Sequence, residues 1–223
     1  MARRIVLFDL DGTVLTYDGP PPGPGRTALE RAVYELYGVE RAARDLRVAG
    51  GTDRALARTL LARAGAHEGA IDRVLASYIK HLAIVVESRR YRPIGDVMGA
   101  VAALRTEGAI VGVATGNVRE GAQIKLASAG LTAAFDLTLG GFGCDAEPRA
   151  DILRKALERC GADAGSDVVV VGDTDRDVLA GRAVGARVIG VAVDDASRLE
   201  LSTAGADAIV PSCGEALVAR ILE

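Results

Sequence analysis

Apolar and polar positions along the chain follow two different rhythms. Near both ends, short apolar runs alternate with amphipathic stretches, whereas from about residue 26 to residue 88 apolar side chains recur only at helical spacing. The runs at Ile5–Phe8, Ala109–Ala114, Phe135–Leu139, Val168–Val171, Arg187–Val191 and Ala208–Val210 read as strands. Between them lie helices expected over Val97–Glu107, Glu120–Ala129 and Ala150–Arg159, another ending near Val184, and a last one at the C-terminus. Strands alternating with helices of about 10–15 residues predict an α/β fold with a doubly wound parallel sheet.

The helical rhythm has its own boundaries. Asp18-Gly19-Pro20-Pro21-Pro22-Gly23-Pro24-Gly25 reads as a linker, because so many prolines and glycines suit neither helix nor central strand. Thr27 and Glu30 then form a capping-box pattern ahead of Leu29, Val33, Leu36 and Tyr37. A second helix is expected from Asp53 to Ala64. A third carries Ile71, Val74, Leu75, Tyr78, Ile79, Leu82 and Val86 on one stripe. Tyr91-Arg92-Pro93-Ile94-Gly95 reads as a second breaker. Residues 18–92 are therefore expected to be an all-helical insertion, and residues 1–17 and 93–223 to share one sheet.

Composition narrows the class. Of 223 residues, 49% are hydrophobic and 26% charged, an ordinary globular balance. No apolar stretch approaches the ~18 residues of a membrane span. The run Met1-Ala2-Arg3-Arg4 leads directly into a strand that ends in aspartates, so no signal peptide is expected. Cys144, Cys160 and Cys213 are odd in number, widely spaced and far in sequence from His67 and His81. They form neither a disulfide framework nor a zinc pattern, and they suit a reducing cytoplasm. The net charge of −3 argues against nucleic acid as a partner. Residues 26–90 carry +4 and the remainder −7. A basic segment over an acidic one would suit an anionic substrate and a divalent cation.

Candidate chemistry gathers at three strand ends. The first strand finishes in Asp9-Leu10-Asp11-Gly12-Thr13, where period-2 geometry puts both carboxylates on one side. Two such charges repel unless a cation lies between them, or unless one attacks while the other carries protons. The second cluster is Thr115-Gly116-Asn117 at the start of a helix, where free backbone N–H groups could receive phosphate oxygens. The third is Gly172-Asp173-Thr174-Asp175-Arg176-Asp177. In a parallel sheet all three meet at one edge, where ligands of open α/β sheets bind.

In order and spacing these clusters resemble the haloacid dehalogenase-like superfamily, in particular its phosphoglycolate phosphatase and beta-phosphoglucomutase branch with a helical cap inserted after the first strand. The resemblance implies Mg²⁺-dependent hydrolysis of a small phosphorylated metabolite through an aspartyl-phosphate. Asp9 would be the nucleophile, and Asp11 the general acid and then base. Asp9, the backbone carbonyl of Asp11, and Asp173 would hold Mg²⁺, with Asp177 behind them. Gly12, Thr115, Gly116 and Asn117 would bind phosphate. Asp175 reads as an acid at a helix N-terminus. In the Gly50-Gly51-Thr52-Asp53 loop, which is similar to the family's specificity loop, Thr52 and Arg54 are candidate substrate contacts, with a plain helix N-cap as the equal alternative.

One position departs from the pattern. The family places a lysine, often followed by proline, about 20–30 residues before the last motif. Here that region reads Glu147-Pro148-Arg149, so Arg149 is expected to bridge phosphate and nucleophile. Lys155 is the fallback, and Lys125 is expected on the surface. A phosphomutase would use the same Asp9 and Asp11 and remains the alternative. A non-catalytic binding protein is disfavoured because Asp9, Asp11 and Asp173 are all present. The dehalogenase branch typically lacks the second aspartate. Phosphonate cleavage would need a cap lysine, and Lys80 in the apolar-striped helix is the only one. A monomer or weak homodimer is expected.

Overall fold

The computed structural model describes residues 3–46 and 50–223. Met1 and Ala2, which belong to the run read as entering the first strand directly, and residues 47–49 of the helical insertion lie outside the described residues. The chain runs through β1 (Arg4–Phe8), β2 (Leu15–Tyr17), α1 (Pro24–Tyr37), α2 (Asp53–Arg63), α3 (Ile71–Ser88), β3 (Tyr91–Pro93), α4 (Val97–Thr106) and β4 (Ile110–Thr115). It continues through α5 (Arg119–Ser128), β5 (Gly141–Phe142), α6 (Arg149–Arg159), β6 (Asp167–Gly172), α7 (Asp175–Ala183), β7 (Arg187–Val191), α8 (Asp195–Ala204), β8 (Ala208–Val210) and α9 (Glu215–Leu222).

Six strands form one parallel sheet in the order β5-β4-β1-β6-β7-β8. Strand β1 is central, and its side chains divide by parity. Val6 and Phe8 pack with Val97, Val101, Leu126 and Leu217 of α4, α5 and α9. Ile5 and Leu7 pack with Ile152, Ala156, Val178 and Leu201 of α6, α7 and α8. All four are fully buried, which is why β1 reads as a continuous apolar run. The order also sets β1 between β4 and β6, with Phe8 in register with both Val113 and Val171. The three motif-bearing strand ends therefore lie side by side.

Local structure departs from the sequence expectation in four places. The strand expected over Phe135–Leu139 is instead a 3₁₀ turn at Leu137–Leu139 followed by the two-residue β5. Asp136 caps that turn by accepting from the Thr138 N–H and hydroxyl, while Phe135 packs edge-on against Phe8. Helix α1 starts at Pro24 rather than at the Thr27 capping box. Proline at the first helical position is preset for helix, and Thr27 Oγ1 donates back to the Gly23 carbonyl. Tyr91–Pro93, read as a breaker, pairs antiparallel with β2 as a two-stranded ribbon where the chain leaves and re-enters the sheet. Helix α8 forms in a polar stretch for which the sequence predicts no element, and it buries only Leu201.

Candidate active site

Strand β1 delivers Asp9 to the sheet edge, where its N–H donates to the Val171 carbonyl at 2.9 Å. The Asp9 carboxylate is buried, and Oδ1 lies 2.7 Å from Arg149 Nη2. Arg149 opens α6 and also donates from Nε and Nη2 to Asp177 Oδ1, at 3.0 and 2.5 Å. One guanidinium thus ties the end of β1 to the first turn of α7. Asp177 is fixed from its other oxygen, which accepts from the Thr174 N–H and hydroxyl in a capping box. Asp175 is the first residue of α7, as expected for a helix N-terminal acid.

Asp173 follows β6 and accepts from Thr13 Oγ1 at 3.0 Å. Gly12 makes this possible. Its φ is +85°, and a Cβ there would stand 2.0 Å from Asp173 Oδ2. Asp9, Asp173 and Asp177 each offer a carboxylate oxygen, and these oxygens lie within 4.8 Å of one another. The Asp11 side chain points elsewhere. Its Oδ2 accepts from Lys125 Nζ at 2.6 Å and from Asn117 Nδ2 at 2.7 Å. Asp9, Asp11, Gly12, Thr115, Gly116, Asn117, Lys125, Arg149 and Asp173 all line one cavity of about 330 Å³, closed on its other side by residues of α1–α3, β2 and β3.

Several expectations need correction. Lys125 is not a surface residue, since its side chain is only 6% exposed and its ammonium is bonded within the site. Lys155, the fallback for Arg149, points away and pairs with Glu158. Thr115-Gly116-Asn117 precedes the helix rather than beginning it, because α5 starts at Arg119. The N–H of Val118 at that helix end is already bound by Asp53 Oδ2 at 2.8 Å. Thr52 is the N-cap of α2, accepting from the Ala55 N–H, and Arg54 turns outward to Asp72. Neither side chain lines the cavity, because capping and a surface ion pair claim them.

A family model for haloacid dehalogenase-like hydrolases matches residues 4–185. The chain belongs to this family. It is 28% identical over 204 residues to "Probable phosphatase IndB" of Dickeya dadantii, covering 85% of this chain and 81% of that one. It is also 28% identical over 188 residues to a phosphoglycolate phosphatase of Aquifex aeolicus, covering 82% of each. Among solved structures it is similar to CbbY from Rhodobacter sphaeroides in complex with phosphate, with a TM-score of 0.72 and 19% identity over 96% of each chain. That likeness establishes the fold.

Within this haloacid dehalogenase-like hydrolase, the departure noted before the last motif has a structural counterpart. Glu147, standing where the lysine-proline pattern would put a cation, forms a two-pronged ion pair with Arg58 of α2. The loop ahead of α2 docks alongside, with the Asp53 N–H donating to the Gly116 carbonyl at 2.9 Å. A Cβ at Gly116 would stand 2.2 Å from the Gly51 carbonyl oxygen, so only glycine permits this approach.

The charges show what kind of ligand the cluster suits. Burial pushes the Asp9 carboxyl up to about 6, with Arg149 pulling the other way and Asp177 and Asp11 adding to the rise. Burial and the neighbouring Asp177 and Asp9 hold Asp173 well above the usual carboxylate range. Asp9 and Asp177 share one guanidinium, and among the described residues no Lys or Arg pairs with Asp173, the third carboxylate of the cluster. A buried, all-oxygen, negatively overloaded cluster fits a hard divalent cation.

Asp53 gives a separate prediction. Burial pushes its carboxyl up to about 6, against the pull of Lys125 and of the Val118 N–H. The folded chain therefore holds a proton here at a pH where the unfolded chain, with its carboxyl near 3.9, has lost it. The stabilisation is present below that unfolded value and is lost as pH rises through about 6. Asp53→Asn should flatten the pH dependence of Tm between about pH 4 and 6 relative to wild type. Parallel curves for the two proteins would contradict this assignment.

Proposed function

We propose that this haloacid dehalogenase-like phosphatase hydrolyses a small phosphorylated metabolite, with the phosphoryl group resting on Asp9 between the two half-reactions. The observation that supports this most is the pairing of two differently held carboxylates on one cavity. Asp9 is buried and oriented by Arg149, whereas Asp11 is half-exposed and turned toward Lys125 and Asn117. Such a pair suits a nucleophile and a proton carrier. Asp9 Oδ attacks phosphorus, the bond to the leaving oxygen breaks, and Asp11 gives that oxygen its proton. Asp11 then takes a proton from the water that attacks the same phosphorus, which frees phosphate and restores Asp9.

Asp9, Asp173 and the Asp11 carbonyl would hold Mg²⁺, with Asp177 anchoring Arg149 behind them; the ion supplies positive charge against the phosphoryl oxygens when bound. Arg149 orients Asp9, and its forked N–H groups suit phosphate. Thr115, Gly116 and Asn117 line the cavity and would receive the phosphate oxygens.

Residues 18–92 act as a cap on a core formed by residues 1–17 and 93–223. The Arg58–Glu147 pair and the Asp53 contacts clasp the two. A cavity of about 330 Å³ between the two favours a small substrate. The three free cysteines agree with a cytoplasmic setting.

Turnover of p-nitrophenyl phosphate that requires Mg²⁺ tests the reading. Asp11→Ala should lower kcat/KM, which reports the first half-reaction alone, on alkyl phosphates by about 10²–10⁴-fold. It should cost far less on p-nitrophenyl phosphate, whose leaving group needs little protonation. Equal losses on both substrates would remove Asp11 from the proton-carrying role.

A further inference from the structure

Lys125 is the buried charged group in the cavity that the proposed reaction leaves without a task. It sits in the second turn of α5, on the face that also buries Gly121, Ala122 and Leu126. Its ammonium donates to Asp11 Oδ2 at 2.6 Å and to Asn117 Oδ1 at 2.5 Å. Asn117 closes the triangle by donating from Nδ2 to the same Asp11 oxygen at 2.7 Å, and from that nitrogen to Thr115 Oγ1 at 2.8 Å. On the opposite side, Lys125 Nζ lies 5.5 Å from the centre of the Tyr91 ring, whose hydroxyl accepts from the Gly25 N–H.

A cation taken this far out of water is costly unless paired and hydrogen-bonded. Burial works against its charge, yet Asp11, Tyr91, Tyr78 and Asp53 together keep it protonated. It is therefore a fixed donor rather than an amine nucleophile, which also sets it apart from Schiff-base chemistry.

The consequence falls on Asp11. Two donors grip one of its oxygens, and among the described residues Oδ1 accepts no hydrogen bond. A half-exposed aspartate would otherwise sample several rotamers. We propose that Lys125 is a positioning residue for the acid–base step: with Asn117 it pins Asp11 Oδ2, so that Oδ1 is the oxygen presented to the leaving group and then to water. This rests on the reaction proposed above.

The experiment uses the full chain with Mg²⁺ and two probes, p-nitrophenyl phosphate and a simple alkyl phosphate. Lys125→Met should lower kcat/KM, which reports the leaving-group step alone, on the alkyl phosphate by about 10²-fold and on p-nitrophenyl phosphate by less than about tenfold. Adding Lys125→Met to Asp11→Ala should cost nothing further on the alkyl phosphate, because both changes act through one group. An equal kcat/KM loss on both probes, a loss on the alkyl phosphate confined to KM, or a full additional loss in the double variant would overturn the role. Should Lys125→Met fail to fold, Lys125→Gln, which keeps an N–H donor of similar reach, is held to the same criteria with a smaller loss. Wild type that does not turn over p-nitrophenyl phosphate would instead overturn the underlying reaction. Active wild type with an unchanged probe ratio in the variant overturns the Lys125 role alone.

Discussion

Asp9→Asn should abolish steady-state phosphatase activity, with kcat lowered by at least about 10⁴-fold, while the protein stays folded. The amide keeps the shape of the carboxylate and can still accept from Arg149, but it cannot form the covalent intermediate on which both half-reactions depend. The substitution also removes a charge that burial disfavours, since the Asp9 carboxyl is pushed up to about 6. Tm should therefore hold or rise at neutral pH. Initial rates on p-nitrophenyl phosphate and a thermal melt measure the two quantities together. Activity within about tenfold of wild type would exclude Asp9 as nucleophile, and a collapsed melt would leave the loss uninterpretable as chemistry.

Arg149→Ala should be the most damaging change to stability. The guanidinium joins Asp9 and Asp177, and all three side chains are at most 10% exposed. Removing one partner of a buried ionic group strands the others and costs about 3–5 kcal/mol. For a chain of this size that corresponds to a Tm lower by roughly 10 °C. Measured in EDTA, the loss should be largest at neutral and higher pH and smaller near pH 5. There, Asp9, pushed up to about 6, and Asp173, held high, take up protons and relieve the repulsion. A variant that melts with wild type at pH 7.5 would show that Arg149 does not carry the cluster's charge balance.

The sheet and the acidic half of the site were legible because they rest on local signals. A four-residue apolar run ending in Asp-Leu-Asp-Gly-Thr sets both the strand and where its carboxylates emerge. With β1 between β4 and β6, the other two strand ends follow. Arg149 was also legible, as the basic residue left when Glu147 stands before Pro148.

What escaped depended on tertiary contact. Strands β2 and β3 are three residues each and pair across more than 70 residues of sequence, so neither carries a pattern of its own. Helix α8 leaves Leu199 exposed, which blurs its amphipathic stripe, although the Asp194–Ser197 capping box was a usable sign. Lys125 was misplaced because lysine is so seldom buried. The signal was its place between Ala122 and Leu126 on the inward face of α5, where Asp11 and the buried Asn117 could receive it. The same holds for Asp53, whose expected role as a cap-loop residue gave no hint that it binds the Val118 N–H across the cleft.

The central claim is that the phosphoryl group passes through Asp9. Asp11→Ala is the form in which to see it, because p-nitrophenyl phosphate still loads the nucleophile while hydrolysis lacks its base. Acid quenching during turnover, followed by digestion and mass spectrometry of the peptides, should find a phosphoryl group on the Asp9 residue alone. It should vanish in Asp9→Asn/Asp11→Ala. A phosphoryl group on any other side chain, or turnover by Asp11→Ala with unmodified Asp9 at every quench time, would contradict the account.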